Sequence, residues 1–170
     1  MNNFTNAFVL LMALSVTAAG TAQQMPDLEV PERLLAWGSD DYGQSSVPTV
    51  PAPTVATSNR FRRLSAGRWH SAAVTGDGQL VAWGRNDAGQ CNVPTTSTPF
   101  VRVSAGGWHT MALLDDGNVV AWGRNIDGQC DVPPLPAGLQ YVEVAAGGYH
   151  SVARRSDGSV VAWGQNYHGQ

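Results

Sequence analysis

The stretch VAWGRNDAGQCNVP at Val81–Pro94 returns as VAWGRNIDGQCDVP at Val120–Pro133 and begins again as VAWGQNYHGQ at Val161–Gln170. The tryptophans of these copies, with Trp37 before them, are separated by 46, 39 and 41 residues. Periods of that size mark a repeat architecture. Inside the repeat the spacing is rigid. From His70 to Trp83, His109 to Trp122 and His150 to Trp163 is 13 residues each time, and each of the four tryptophans stands 6 residues before the glycine of a Gly-Gln pair. The length variation falls after Val-Pro, with 13 residues from Pro48 to Phe61, 6 from Pro94 to Phe100 and 8 from Pro133 to Tyr141. Fixed spacing implies packed structure and variable spacing implies surface loops.

Each unit reads as three short strands. FRRLSAG, FVRVSAG and YVEVAAG alternate with period two, HSAAV, HTMAL and HSVAR follow, and Asp-Gly turns return the chain through LVAWG or VVAWG. Both sides of these strands are largely apolar. Met111 and Leu113 point one way with Thr110 and Ala112 opposite, which suggests that the bulky side of one sheet nests on the small side of the next. No helical period appears after the N-terminal region. Short antiparallel sheets of about 40 residues that cover one another around a common centre make an all-β fold, a β-propeller.

The run SAGGWHTMALLDDGNVVAWGRNIDGQ resembles the repeat of the regulator-of-chromosome-condensation family, and the VVAWG…GQ…VP ending is similar to that of its short-repeat, secreted β-lactamase-inhibitor-like bacterial members. The resemblance covers about residues 33–170. It implies a seven-bladed ring, of which this sequence holds about three and a half blades: a half blade over 33–60 and blades over 61–99, 100–140 and 141–170. The chain is expected to be a piece of a longer ring. Two chains closing one ring by self-association, or an open arc, are the alternatives. Arg154 stands where Val74 and Leu113 stand in the other units. It should find a carboxylate or lie on a less covered face, because an unpaired buried guanidinium is costly.

The first 22 residues differ from the rest. AFVLLMALSV (Ala7–Val16) is uncharged and apolar, and TAAGTA supplies small residues for cleavage after Gly20 or Ala22. The segment 1–22 is read as a signal peptide and 23–32 as a linker, with a secreted or periplasmic location and no membrane span once the leader is removed. A hydrophobic anchor or a buried strand is the alternative. The other 148 residues suit a globular domain, since the chain is 43% hydrophobic and only 14% charged. Net charge is −3, all ten basic residues are arginines, and they form no stripe, which argues against a nucleic-acid partner.

The candidate chemistry is sparse. His70, His109 and His150 recur once per blade, so they are spread around a ring instead of converging on one ion. Their expected role is structural, with the imidazole bonding a backbone carbonyl, while His168 should face solvent. Cys91 and Cys130 occupy equivalent slots. A disulfide between them and two separate half-buried thiols both remain open. Asp77, Asp116 and Asp157 are turn residues. No nucleophile, acid–base pair, metal or cofactor motif appears, so no enzyme activity and no cofactor are expected. What remains is surface. The residue before each repeat histidine is aromatic (Trp69, Trp108, Tyr149), and the loops after Ala-Trp-Gly carry Tyr42 and Tyr167. Aromatic side chains on rim turns suit protein interfaces. In propellers of the resembled type the loops of one face form the binding surface, and these five residues match it. The competing reading of Trp69, Trp108 and Tyr149 is a core role, packing between blades or lining the axial channel. The functional expectation is an exported module for protein–protein interaction or scaffolding, with an unknown protein partner. The alternative is the N-terminal propeller of a larger extracytoplasmic enzyme or adhesin.

Overall fold

The computed structural model describes residues 8–11, 34–49 and 61–170. The leader and linker readings therefore lie outside the described residues, except at Phe8–Leu11. Three antiparallel sheets repeat one plan: β3 (Phe61–Ala66), β4 (His70–Thr75) and β5 (Leu80–Gly84); β6 (Phe100–Ala105), β7 (His109–Leu114) and β8 (Val119–Gly123); β9 (Tyr141–Ala146), β10 (His150–Arg155) and β11 (Val160–Gly164). In each, the middle strand of the sequence is also the middle strand of the sheet. A further pair is formed by β1 (Phe8–Leu11) and β2 (Leu34–Trp37), with Leu11 opposite Leu34. β1 thus borders β2, as β4 borders β5. The first strand of each sheet packs against that of the next, β3 against β6 and β6 against β9, so the sheets stack as consecutive propeller blades. No helix among the described residues is long and apolar enough to cross a membrane.

The hairpins form where the sequence places Asp-Gly. Gly78, Gly117 and Gly158 take φ of 82°, 82° and 86°. The preceding carboxylates bond locally: Asp77 accepts from the Thr75 hydroxyl, Asp116 from the Asn118 amide at 3.0 Å and Asp157 from the Ser159 hydroxyl at 2.7 Å. Those bonds hold all three below the usual carboxylate range.

The period-two reading of the first strands fails at one place. The register slips between Phe61 and Arg63, between Phe100 and Arg102, and opposite Arg154 and Arg155. This β-bulge adds one unpaired residue, so residues three apart share a face. Phe61 with Leu64, Phe100 with Val103 and Tyr141 with Val144 each pack into one cluster.

The blades bury their faces against each other. Ala72, Val74 and Leu80 of the first blade meet Phe100, Val103, Ala112 and Leu114 of the second. Leu113 and Val119 of the second meet Tyr141, Ala153, Val161 and Trp163 of the third. Leu34 of β2 meets Phe61, Ala73 and Trp83 of the first blade. The expected bulky and small faces are a strand-by-strand matter: Met111 lies opposite Ala121, and Thr110 lies opposite Trp122. A face that is bulky on the middle strand is small on the next, which levels the surface for stacking. Arg154 is exposed and its Nε donates to Glu143 at 3.0 Å, so both expectations for it hold. With both partners about half exposed, the pair contributes at most about 1 kcal/mol.

A repeated polar chain ties blade to blade. The Thr110 hydroxyl donates to the Gln90 carbonyl at 2.7 Å, and the Ser151 hydroxyl donates to the Gln129 carbonyl at 2.7 Å. The same carbonyls accept the indole N–H of Trp122 and of Trp163, each at 3.0 Å. Ser71 and Trp83 use Gln44 in the same way. Each glutamine aims its carbonyl outward because its own side-chain oxygen accepts the amide two residues back, as Gln90 does from Ala88 at 2.9 Å, across a glycine at φ 78°. His70 Nε2 lies 2.8 Å from the Thr110 oxygen and His109 Nε2 lies 3.0 Å from that of Ser151. The hydroxyl hydrogen is committed to the carbonyl, so the imidazole must donate from Nε2, leaving Nδ1 without a partner among the described residues. The expected histidine-to-carbonyl bond is therefore corrected: a hydroxyl of the next blade stands between the two. The turns before the middle strands of successive blades also touch, with the Gly107 amide donating to the Gly147 carbonyl at 3.0 Å. A Cβ on Gly106 would come within 2.5 Å of that carbonyl.

Two outcomes follow from this chain. Thr110→Val strands the buried His70 N–H and removes a donor from Gln90, so urea unfolding should show a loss of about 1–3 kcal/mol, whereas Thr110→Ser should remain near wild type. The second concerns pH. Burial first, and the next imidazole second, lower His70 and His109 from 6.5 to about 4. Above about 6.5 both folded and unfolded chains hold these rings neutral. Between 6.5 and 4 only the unfolded chain takes up the protons, so stability falls with pH by up to the order of 3 kcal/mol per ring, then levels off. Denaturation midpoints measured from pH 7.5 to 4 should trace that fall, and His70→Gln should flatten part of it.

Candidate functional site

The turn before each middle strand and the loop after each Ala-Trp-Gly emerge at the same end of the sheet. Backbone bonds lock them together: Arg85 N–H donates to Trp69 O at 2.9 Å, Arg124 N–H to Trp108 O at 2.9 Å and Gln165 N–H to Tyr149 O at 3.0 Å. This places the side chain after Trp-Gly beside the aromatic residue that precedes the histidine.

The result is a row of alternating rings and guanidinium groups. Tyr42 meets Trp69 edge to face, with centroids 5.5 Å apart. Arg85 lies 4.6 Å from the Tyr42 ring, 6.0 Å from Trp69 and 4.3 Å from Trp108 of the next blade. Arg124 lies 5.5 Å from Tyr149, one blade further on, and Arg68 lies 4.9 Å from Trp69. Such contacts stabilise by about 0.5–2 kcal/mol each, more as water is excluded. Arg85 is further held by Asp87, whereas its counterpart Arg124 has the exposed Ile126 at that position.

Trp69, Trp108 and Tyr149 are half-buried and belong to none of the three hydrophobic clusters. The two kinds of tryptophan are thus distinct. Trp83, Trp122 and Trp163 donate across the blade interface, while the Nε1 atoms of Trp69 and Trp108 are covered and have no partner among the described residues. Tyr42 joins the row, and Tyr167 stands apart from it, 80% exposed. His168 is also exposed. The arginines that link the rings were not singled out by the sequence reading. Their signal was present as the repeated Arg of Trp-Gly-Arg-Asn, at the same distance from each ring-bearing turn.

The loop tips beneath the row are rigid. Asn86 accepts the Cys91 amide at 2.8 Å and donates to Asn92 at 2.8 Å, and Asn125 does the same with Cys130 and Asp131 at 2.7 Å each. Asp40 accepts the Ser45 amide at 2.8 Å in the first loop. Cys91 and Cys130 are not bridged. Each thiol donates to an arginine carbonyl of its own loop at 3.3 Å, the place Ser45 takes with Ser39. Burial pushes both thiols up to about 11, so neither is a ready nucleophile.

Stacked three-stranded blades with this bonding define a repeat β-propeller. Residues 61–90, 100–129 and 141–170 match the regulator of chromosome condensation (RCC1) repeat, more than half of the chain, and the protein belongs to that family. Among solved structures it is similar to Prp20p of Saccharomyces cerevisiae, with 23% identity and a TM-score of 0.63 over 78% of this chain and 41% of that one. It is also similar to the ectodomain of the receptor kinase CR4 of Physcomitrella patens (22%, 0.57, 78% and 36%) and to that of ACR4 of Arabidopsis thaliana (23%, 0.57, 78% and 43%). The chain spans about two fifths of these structures, and at such identities the likeness is one of fold. No curated protein matches it by sequence.

Proposed function

We propose that this protein is an exported, non-catalytic propeller module that binds a protein partner through the face carrying Tyr42, Trp69, Trp108 and Tyr149. The row of rings and guanidinium groups is the observation that carries this reading. These rings lie outside the core clusters, and two covered indole N–H groups find no partner among the described residues, which costs stability. Large aromatic area held by stacked arginine is what protein interfaces use. Rigid loop tips reduce the ordering cost of binding. Support from the fold is coarser: the yeast propeller Prp20p is described as binding Gsp1p and histones, and is seen bound to Kap60. Export rests on the apolar Ala7–Val16 run and the small residues after it. In the uncleaved chain Phe8–Leu11 of that run pair with β2.

The test is capture from culture fluid and cell envelope with the purified protein. A partner retained by wild type should be lost at least tenfold with Tyr42→Ala/Tyr149→Ala, two rings outside the core, while the melting temperature stays within a few degrees. Undiminished capture by that variant sinks the binding face. Intact mass of the exported protein should start at Thr21 or Gln23, and a chain starting at Met1 would refute processing.

A further inference from the structure

The contact that joins one blade to the next is left half made on the two outer faces of the stack. The face of the third sheet turned away from the second carries Val152, Arg154, Val160 and Ala162, the counterparts of Ala72, Val74, Leu80 and Ala82. In the first blade that face is covered. Leu80 is 7% exposed, in a cluster on which Val120 and Trp122 of the next blade pack. In the third blade Val160 is 63% exposed, and Arg154 and Ala162 are exposed as well. The other uncovered face belongs to β2. There Leu35 and Trp37 stand where Val120 and Trp122 stand in the second blade. Leu35 is exposed, and Trp37 is 48% exposed where Trp83 is 7%.

The polar bonds are unmet in the same two places. The Gly-Gln loop is built a fourth time: the Gln170 side-chain oxygen accepts the His168 amide at 2.9 Å and Gly169 takes φ of 82°, as Gln90 does with Ala88 across Gly89. The carbonyls of Gln44, Gln90 and Gln129 each accept the tryptophan indole of the following sheet. That of Gln170 accepts no indole among the described residues, and the Trp37 indole has no acceptor among them.

We propose that these two faces bind each other between two copies of this chain, head to tail, with the Trp37 indole of one copy donating to the Gln170 carbonyl of the other and Leu35 lying on Val160. Continuity with the contacts inside the chain argues for that occupant. The same contact is made by β2 on the first blade, by the first on the second and by the second on the third. The chain carries both halves of it, and each lacks what the other offers: an apolar patch with an acceptor on one side, an indole donor with an aliphatic neighbour on the other. Arg154 fits the same occupant. It stands in the place of Val74, in the cluster on which Trp122 packs, so the Trp37 ring meets a guanidinium whose charge Glu143 already balances. Arginine against an indole face is favourable. The two faces differ, so the contact is heterologous and each copy keeps one face open for the next. It does not rest on the binding role given to the rim.

The test is sedimentation of the whole chain from about 1 to about 100 μM, where the mass should rise with concentration to that of two copies or more, with Kd of about 10 μM or tighter. Trp37→Ala and Val160→Lys should each hold the chain at the mass of one copy where wild type is associated, with an unchanged circular dichroism spectrum. Leu35→Lys takes the place of Trp37→Ala if that variant loses its β spectrum. Mixed in equal amounts, the two variants should recover a species of two copies and no larger, since each retains the face that the other lacks. A wild-type chain at the mass of one copy throughout, association that survives either substitution, or a mixture that stays unassociated would each overturn the proposal.

Discussion

A backbone carbonyl shared between blades is the constraint on which the structure depends. Gln90 O receives the Thr110 hydroxyl and the Trp122 indole, and His70 donates into the same hydroxyl. Three side chains and one main-chain group from two blades therefore fix each other's direction. The hydrophobic faces alone would allow sheets to slide, since apolar contact is non-directional. The buried polar chain admits one register, because any slip leaves several groups without partners in a dry interface. Three copies of the carbonyl pattern, at Gln44, Gln90 and Gln129, give the stack its regularity.

The same chain accounts for the odd spelling of the repeat. Gly-Gln is there to turn the loop and aim a carbonyl, the tryptophan to reach it, and Ser or Thr after histidine to be both donor and acceptor. Each spacing that is invariant in the sequence joins two residues of this chain, while the length that varies, after Val-Pro, lies outside it. One of these loops, after Pro133, lays Leu135 on the cluster of Leu113, Tyr141 and Ala153.

By itself the sequence determined the blade count, the strands, the Asp-Gly turns and the family, because each is written in local pattern and period. It also determined that Arg154 needed an anion or a less covered face, since a charge in an apolar slot is a local contradiction. Only the tertiary structure decided which partners the repeated polar residues meet. His70 finds Thr110 forty positions away, and Phe61 shares a face with Leu64 through a bulge that alternation hides. The rim shows the same division. Tyr42, Trp69, Trp108 and Tyr149 were visible as aromatic residues on turns, but their joining through Arg85 and Arg124 depends on loops from successive blades arriving side by side. Contacts between units are set by the geometry of stacking, and no single repeat encodes its neighbour's position.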